Sequence, residues 1–215
     1  MEKKHIPYGP YEKYFKRPLD FCCALAAILV FSWLYLILII LGTVFMRGNP
    51  FFTQERPGKN EKIFKLIKFR SMDNRKDKDG NLLPDDIRLN KYGRLLRKTS
   101  LDELPEVLNI LKGDMSVIGP RPLLVEYLPR YNAEQHRRHE VRPGLSGYAQ
   151  VNGRNALSWK EKFRMDVWYV DHISVSLDVR IIFQTVMKAF VRHDGISSDT
   201  NVTMEKFMGS EELTK

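Results

Sequence analysis

FCCALAAILVFSWLYLILIILGTVFM, residues 21–46, is the stretch on which the reading of this chain turns. No residue from Phe21 to Met46 carries a charge, and the run is longer than the ~20 residues a helix needs to cross the hydrocarbon of a bilayer. It is a membrane element, too long for the apolar part of a cleaved signal peptide, and no small-residue cleavage site follows it before Arg47. Lys13, Lys16 and Arg17 precede the run, and Arg47, Arg56, Lys59 and Lys62 follow it. A spanning helix carries its excess of Lys and Arg on the cytoplasmic side, so two basic flanks favour a helix that re-enters the face it came from. An ordinary single-span anchor stays open beside this, because the length suffices.

Outside that run the 215-residue chain is long enough for one domain with a sizeable core. Its formal charge of +9 calls for an anionic partner: nucleic acid, an acidic membrane surface or a phosphorylated small substrate. Charge alone does not choose among them. The two cysteines, Cys22 and Cys23, are neighbours inside the apolar run, which excludes a disulfide framework.

Pro7 to Arg17 mixes aromatic with basic residues, as a short interfacial helix does, with Tyr8, Tyr11, Tyr14 and Phe15 at headgroup level. Strands are expected at 51–55 and 62–69, then a charged loop over 73–86. Helical patterns follow at 89–98, 103–112, 123–139, 158–172 and 177–191, with Gly113 as a helix stop. Trp159, Phe163, Trp168, Tyr169, Phe183 and Met187 alternate with basic residues. Periodicity alone favours core packing for them over contact with a membrane surface. There is no P-loop and no dinucleotide fingerprint.

Three constellations carry chemistry. In Ser100-Leu101-Asp102-Glu103-Leu104-Pro105 two acids follow the basic residues Arg88, Lys91, Arg94, Arg97 and Lys98. Taken alone the motif is better explained as helix capping: Ser100 and Glu103 have capping-box spacing, and with Asp102 as the cap Pro105 falls where no hydrogen bond is lost. Either way the carboxylates open a helix, where phosphate also binds readily. In Gly119-Pro120-Arg121-Pro122 two prolines fix the direction of one arginine, which suits bidentate phosphate binding or a rigid turn with a surface ion pair. The third, Arg142 to Asn155, is a loop dense in Gly, amides and Arg. His136 and His139 are three apart, but Arg137 and Arg138 between them disfavour zinc.

Together these residues closely resemble the small monotopic phosphoglycosyl transferases, the bacterial sugar transferase family that starts glycan assembly on polyprenol phosphate. The likeness runs from Lys16-Arg17-Pro18-Leu19-Asp20 through Lys68-Phe69-Arg70-Ser71-Met72, the three constellations and Asp166-Val167-Trp168-Tyr169. Thr203-Met204-Glu205-Lys206-Phe207 looks like the branch acting on UDP-linked acetamido sugars such as UDP-diacetylbacillosamine.

The resemblance implies a mainly α fold with a small β element. Residues 1–47 would form interfacial and re-entrant membrane helices, and residues 48–215 a compact catalytic domain with interfacial amphipathic helices on the cytoplasmic face of the bacterial inner membrane, one continuous functional unit. It implies Asp102 as the nucleophile that attacks the sugar-bearing phosphate of a UDP-sugar, expels UMP and then yields the phosphosugar to polyprenol (undecaprenyl) phosphate. Glu103 would help hold Mg²⁺ with Asp102 or assist the acceptor. Lys68, Arg70, Arg88, Arg121, Arg142 and Arg154 would bind phosphates or nucleotide. The basic surface then meets anionic lipid and substrate, with no nucleic acid required. One departure is that the family's Ser-Pro in the membrane helix is here Ser32-Trp33, so only Ser32 back-bonding remains as a local cause of bending. The rival from another class is a membrane-anchored binding protein that uses its basic face without catalysis.

Overall fold

In the computed structural model, residues 9–153, 157–190 and 206–209 are described. The architecture is mostly helical with two small sheets, as expected. A wide helical turn at Tyr11–Phe15 leads into α1, Lys16–Met46, which runs through Ser32-Trp33 with no interruption. The Ser32 hydroxyl bonds back to the carbonyl of Leu29 at 3.0 Å. Trp33 keeps the N–H that a proline would lack, so the helical ladder persists. α1 ends at Arg47, in the left-handed conformation (φ 52°).

One stripe of α1 is covered by the rest of the protein along almost its whole length, about 46 Å at 1.5 Å per residue. Arg17 donates to the carbonyls of Ile110 and Leu111. The buried Asp20 accepts from the Ser116 hydroxyl (2.7 Å) and the Val117 N–H (3.0 Å). Ala24 packs with Phe64, Leu66 and Val107, and Leu38 and Met46 pack with Phe69, Tyr92 and Leu96. The opposite stripe leaves Leu29, Trp33, Leu36 and Val44 more than half exposed.

The two expected strands are present close to the predicted bounds, β1 (Phe51–Pro57) and β2 (Ile63–Phe69), and the structure pairs them as an antiparallel hairpin. A short helix α2 (Asp85–Arg88) closes the charged loop. α3 (Lys91–Thr99) is capped by Asn90, whose side chain accepts from the N–H of Gly93. α3 sits so close to the end of β2 that a Cβ on Gly93 would lie 1.8 Å from the Ser71 carbonyl oxygen. α4 (Glu106–Lys112) lies under α1 and ends at Gly113, whose φ of 91° serves the stop predicted there.

The single helix expected over 123–139 is broken into a 3₁₀ segment (Val125–Arg130), α5 (Ala133–His136) and another 3₁₀ turn (Arg137–His139). Pro129 interrupts the first piece and Asn132 starts the second with a full capping box. A parallel pair, β3 (Ser116–Ile118) with β4 (Gly144–Ser146), was not expected. Three residues are too few to show a strand period. α6 (Tyr148–Asn152) precedes α7 (Trp159–Asp171), which the Ser158/Glu161 capping box starts, and α8 (Val175–Phe190) follows.

The aromatic residues weighed between core and surface divide. Phe163 and Tyr169 are buried, while Trp168, Phe183 and Met187 are exposed. Val175, Val179, Ile182 and Val186 share the exposed side of α8 with Phe183. Of the aromatics placed at headgroup level, Tyr14 and Phe15 are exposed, but Tyr11 turns inward to bond Asp178 at 2.7 Å. Tyr8 lies outside the described residues.

Candidate active site

Neither of the expected caps forms at the paired acids. Ser100 takes the left-handed conformation that ends α3, and makes no side-chain cap bond. The chain then makes a 3₁₀ turn, Leu101–Glu103, before α4 begins with Pro105 at its N-cap position. The reason is electrostatic: Glu103 is drawn to two cations and cannot fold back on the Ser100 backbone.

Lys68, at the end of β2, donates to Glu103 Oε1 at 2.8 Å. Arg121, fixed between its prolines, donates to the same oxygen at 2.6 Å. Burial alone would push the Glu103 carboxyl up, but Arg121 and Lys68 overcome it and hold the group at about 2. Asp102 differs. Among the described residues its carboxylate has no hydrogen-bond or ion-pair partner. Burial first and the neighbouring Glu103 second push its pKa up, against the pull of Lys68, Arg97 and Arg121. One carboxylate is therefore locked by cations and the other left unbonded in their field.

The loop carrying Arg121 is itself held from behind. Arg138 donates to the Arg121 carbonyl at 2.7 Å and pairs with Asp166 at 2.8 Å, both side chains almost fully buried. Arg56 reaches the carbonyl of Pro122. With flanking prolines limiting the backbone, these bonds fix the direction of the guanidinium.

Of the residues singled out from the sequence, the structure brings together Asp102, Glu103, Lys68 and Arg121. It does not bring Arg142 there. That guanidinium donates to the Gly113 carbonyl at 2.8 Å, at the far end of α4, where the unpaired carbonyls of a helix C-terminus attract cations. Arg88 also turns away, to the Asp73 carbonyl (2.8 Å) and the Asp85 carboxylate (3.2 Å), because it closes the charged loop. Arg70 bonds through its backbone N–H to Pro50, and its side chain makes no bond among the described residues. Arg154, with Asn155, lies outside the described residues. Of the two histidines, His136 pairs with the Glu61 carboxylate, and burial, then Arg138, push His139 down to about 3.

Two further residues stand outside the set expected to bind substrate. Arg97, noted only as part of the basic run before the acids, lies in the last turn of α3, donates to Ser71 at 2.9 Å and acts on Asp102. Its signal was available, since it follows the fully buried Leu96 on an amphipathic helix. Glu106, which reads as an ordinary first-turn acid, is 3% exposed and lies 3.0 Å from Lys68.

A model of the bacterial sugar transferase family matches residues 11–192. The chain belongs to that family. Relatives of this sugar transferase include an uncharacterized sugar transferase, EpsL, from Bacillus subtilis strain 168, 56% identical over 78% of this chain and 83% of that protein. A UDP-N-acetylgalactosamine-undecaprenyl-phosphate N-acetylgalactosaminephosphotransferase of Aeromonas hydrophila is 37% identical over 83% of this chain and 44% of its own length. An undecaprenyl-phosphate galactose phosphotransferase of Salmonella typhimurium is 34% identical over 85% of this chain and 42% of its own. The sugar transferase thus spans most of the Bacillus protein and less than half of the other two.

Proposed function

We propose that this sugar transferase moves a phosphosugar from a UDP-sugar to polyprenol phosphate at the cytoplasmic face of the bacterial inner membrane, releasing UMP. The chain is a phosphoglycosyl transferase. The observation that carries the mechanism is the contrast between Glu103, locked by Lys68 and Arg121, and Asp102, half-buried and without a hydrogen-bond partner among the described residues.

In this reading an Asp102 carboxylate oxygen attacks the phosphorus that bears the sugar. The bond from that phosphorus to the bridging oxygen breaks, and UMP leaves with the electron pair. An oxygen of the lipid phosphate then attacks the phosphosugar-aspartyl group, forming the lipid diphosphosugar and restoring the carboxylate. A carboxylate meets a diphosphate only where cations offset their repulsion, and Lys68, Arg97 and Arg121 supply three.

Among the described residues no group of three His, Cys, Asp or Glu side chains converges. The carboxylate left without a bond, that of Asp102, is the donor open to Mg²⁺, which is typically held by one or two carboxylates together with substrate phosphates. Asp102 would hold it, while the charge of Glu103 is taken up by its two cations. The ion would draw charge from the phosphates.

In this reading the chain attaches to the membrane through α1 without crossing it. A spanning helix carries its two ends to opposite sides of ~30 Å of hydrocarbon. Here Arg17 and Asp20 near one end and Met46 at the other contact one folded unit, which supports entry and return on one face. The exposed apolar sides of α1 and α8 then meet lipid. An acetamido sugar is the donor we favour, since the tail motif resembles that branch and Phe207 packs among Tyr127, Tyr131 and Phe163.

The deciding experiment measures which nucleotide leaves when purified enzyme, lipid phosphate and a panel of UDP-sugars are combined. UMP is expected, with Asp102→Asn inactive yet still membrane-bound. Release of UDP, or UMP release retained by that variant, overturns the mechanism.

A further inference from the structure

Lys68 does not serve Glu103 alone. Its ammonium lies 2.8 Å from Glu103 and 3.0 Å from Glu106, so that Arg121, Glu103, Lys68 and Glu106 form a row of alternating charge running from the half-exposed guanidinium into the protein. Glu106 is its inner end. The side chain is almost completely buried on α4, and a buried acid is retained at a cost unless a partner stabilises it.

The charged groups acting on Glu106 come from every side. They are Lys68 from β2, Glu103 from the 3₁₀ turn, Arg121 from the loop after β3, and Arg56 from β1. α1, packed against α4, has no charged residue between Phe21 and Met46. Its flanking charges are engaged elsewhere: Lys16 with Asp178, Arg17 with Ile110 and Leu111, Asp20 with Ser116.

We propose that Glu106 is a positioning residue for the transfer reaction: it divides the Lys68 ammonium between two carboxylates, and so sets where Glu103 is held and how much positive charge the site presents to the donor diphosphate. The proposal rests on the reading of the site given above. With Glu106 ionised, Lys68 is neutralised from two sides. With Glu106 protonated, one of these charges is gone and the site gains a full positive charge relative to the first state. Burial, opposed chiefly by Lys68, pushes the Glu106 carboxyl up to about 7, so both states are populated near neutrality. The diphosphate of a UDP-sugar is fully ionised throughout this range, so the ligand itself contributes no titration.

The test is binding of UDP-N-acetylgalactosamine to the full chain in detergent, by calorimetry between pH 6 and pH 8.5, for wild type and Glu106→Gln. The wild-type Kd is expected to rise about fivefold as pH passes 7, the effect of one added negative charge near the diphosphate in a partly screened site. Glu106→Gln is expected to keep the tight, low-pH value throughout. Curves of the same shape for both proteins overturn the proposal. A flat wild-type curve overturns it whatever the variant does, so the result does not depend on the variant folding, and Glu106→Met serves as a second uncharged substitution. Measured alongside, UMP release separates the two ideas. UDP in its place sinks the covalent mechanism without touching the binding curves, whereas UMP release with coincident curves sinks only the role of Glu106.

Discussion

The Tyr35 hydroxyl donates to the carbonyl of Leu104 at 2.5 Å, joining the apolar helix α1 to the residue that follows the paired acids. Burial pushes this phenol up to about 12, so it remains a donor at any physiological pH. Leu104 is also the C-cap of the 3₁₀ turn that carries Asp102 and Glu103. The apolar helix and the site are therefore one structure, and the position of the carboxylates depends on how α1 lies.

Replacing Tyr35 with Phe keeps the ring against Phe69 and removes only the bond. Leaving a part-buried carbonyl without that donor costs about 1 kcal/mol, or a fall in Tm of about 2–4 °C for a chain of this size. A small displacement of the turn should lower kcat about fivefold, with binding to vesicles unchanged. Unaltered turnover in a protein of lowered Tm would uncouple α1 from the chemistry.

The Arg138–Asp166 pair gives a sharper stability test. Both side chains are buried, and Arg138 also holds the Arg121 carbonyl. Removing one partner leaves an uncompensated charge, so Arg138→Ala should cost about 3–5 kcal/mol, while Arg138→Met combined with Asp166→Leu should cost much less. The double variant still loses the bond to Arg121, so it should remain folded and transfer sugar phosphate poorly. Denaturant unfolding and UMP release separate the two effects. Equal stability of the single and double variants would refute this account.

How far the sequence could be read depended on whether a residue's role was local. The long helix and the two strands of the hairpin follow from hydropathy and period, and Gly113 from its position after Lys112. Asp102, Glu103, Lys68 and Arg121 were legible through a family resemblance, since nothing in their spacing joins β2 to the turn. Capping was the better local explanation of the acids, and it failed because two cations from distant segments claim Glu103. Arg142 lies apart from them for the same reason in reverse: its loop has the composition of a ligand site, yet the end of α4 offers it a carbonyl. The burial of Glu106 beside Lys68 of β2 comes from tertiary contacts, which no sequence period records.

The two neighbouring glutamates should respond to pH in opposite directions. Glu103 is held at about 2, below its ordinary 4.5, so it stabilises the fold above pH 4.5 and that contribution is lost as pH falls through 2. Glu106 is raised to about 7, so the folded state is favoured while it is protonated, and stability falls as pH rises from 4.5 through 7. Glu106→Gln should therefore be more stable than wild type at pH 8, by about 1–2 kcal/mol, with no advantage at pH 4.5. Glu103→Gln should be less stable than wild type at pH 7. Thermal unfolding at the three pH values checks both, and a variant ranking that does not change with pH would contradict the charge row.

Topology offers the last test. One stripe of α1 is buried against its own protein from Asp20 to Met46, while the other leaves Leu29 and Trp33 exposed. If α1 crossed the bilayer, either its first turns or its last would leave the contacts that hold them. At the first end these are Arg17 with the end of α4 and Asp20 with Ser116; at the last they include the stacking of Phe45 on Tyr92. A tag on residue 1 and a tag on residue 215 should therefore be labelled from the same side in inside-out vesicles, and both protected in intact cells. Asp20→Ala should weaken the first of these contacts, leaving the Val117 N–H without its acceptor and the Ser116 hydroxyl with the Ile118 carbonyl alone, and should lower stability by about 1–3 kcal/mol. Protection of the first tag in inside-out vesicles, with exposure of the second, would mean that α1 spans and that its contacts near Arg17 do not persist in the membrane.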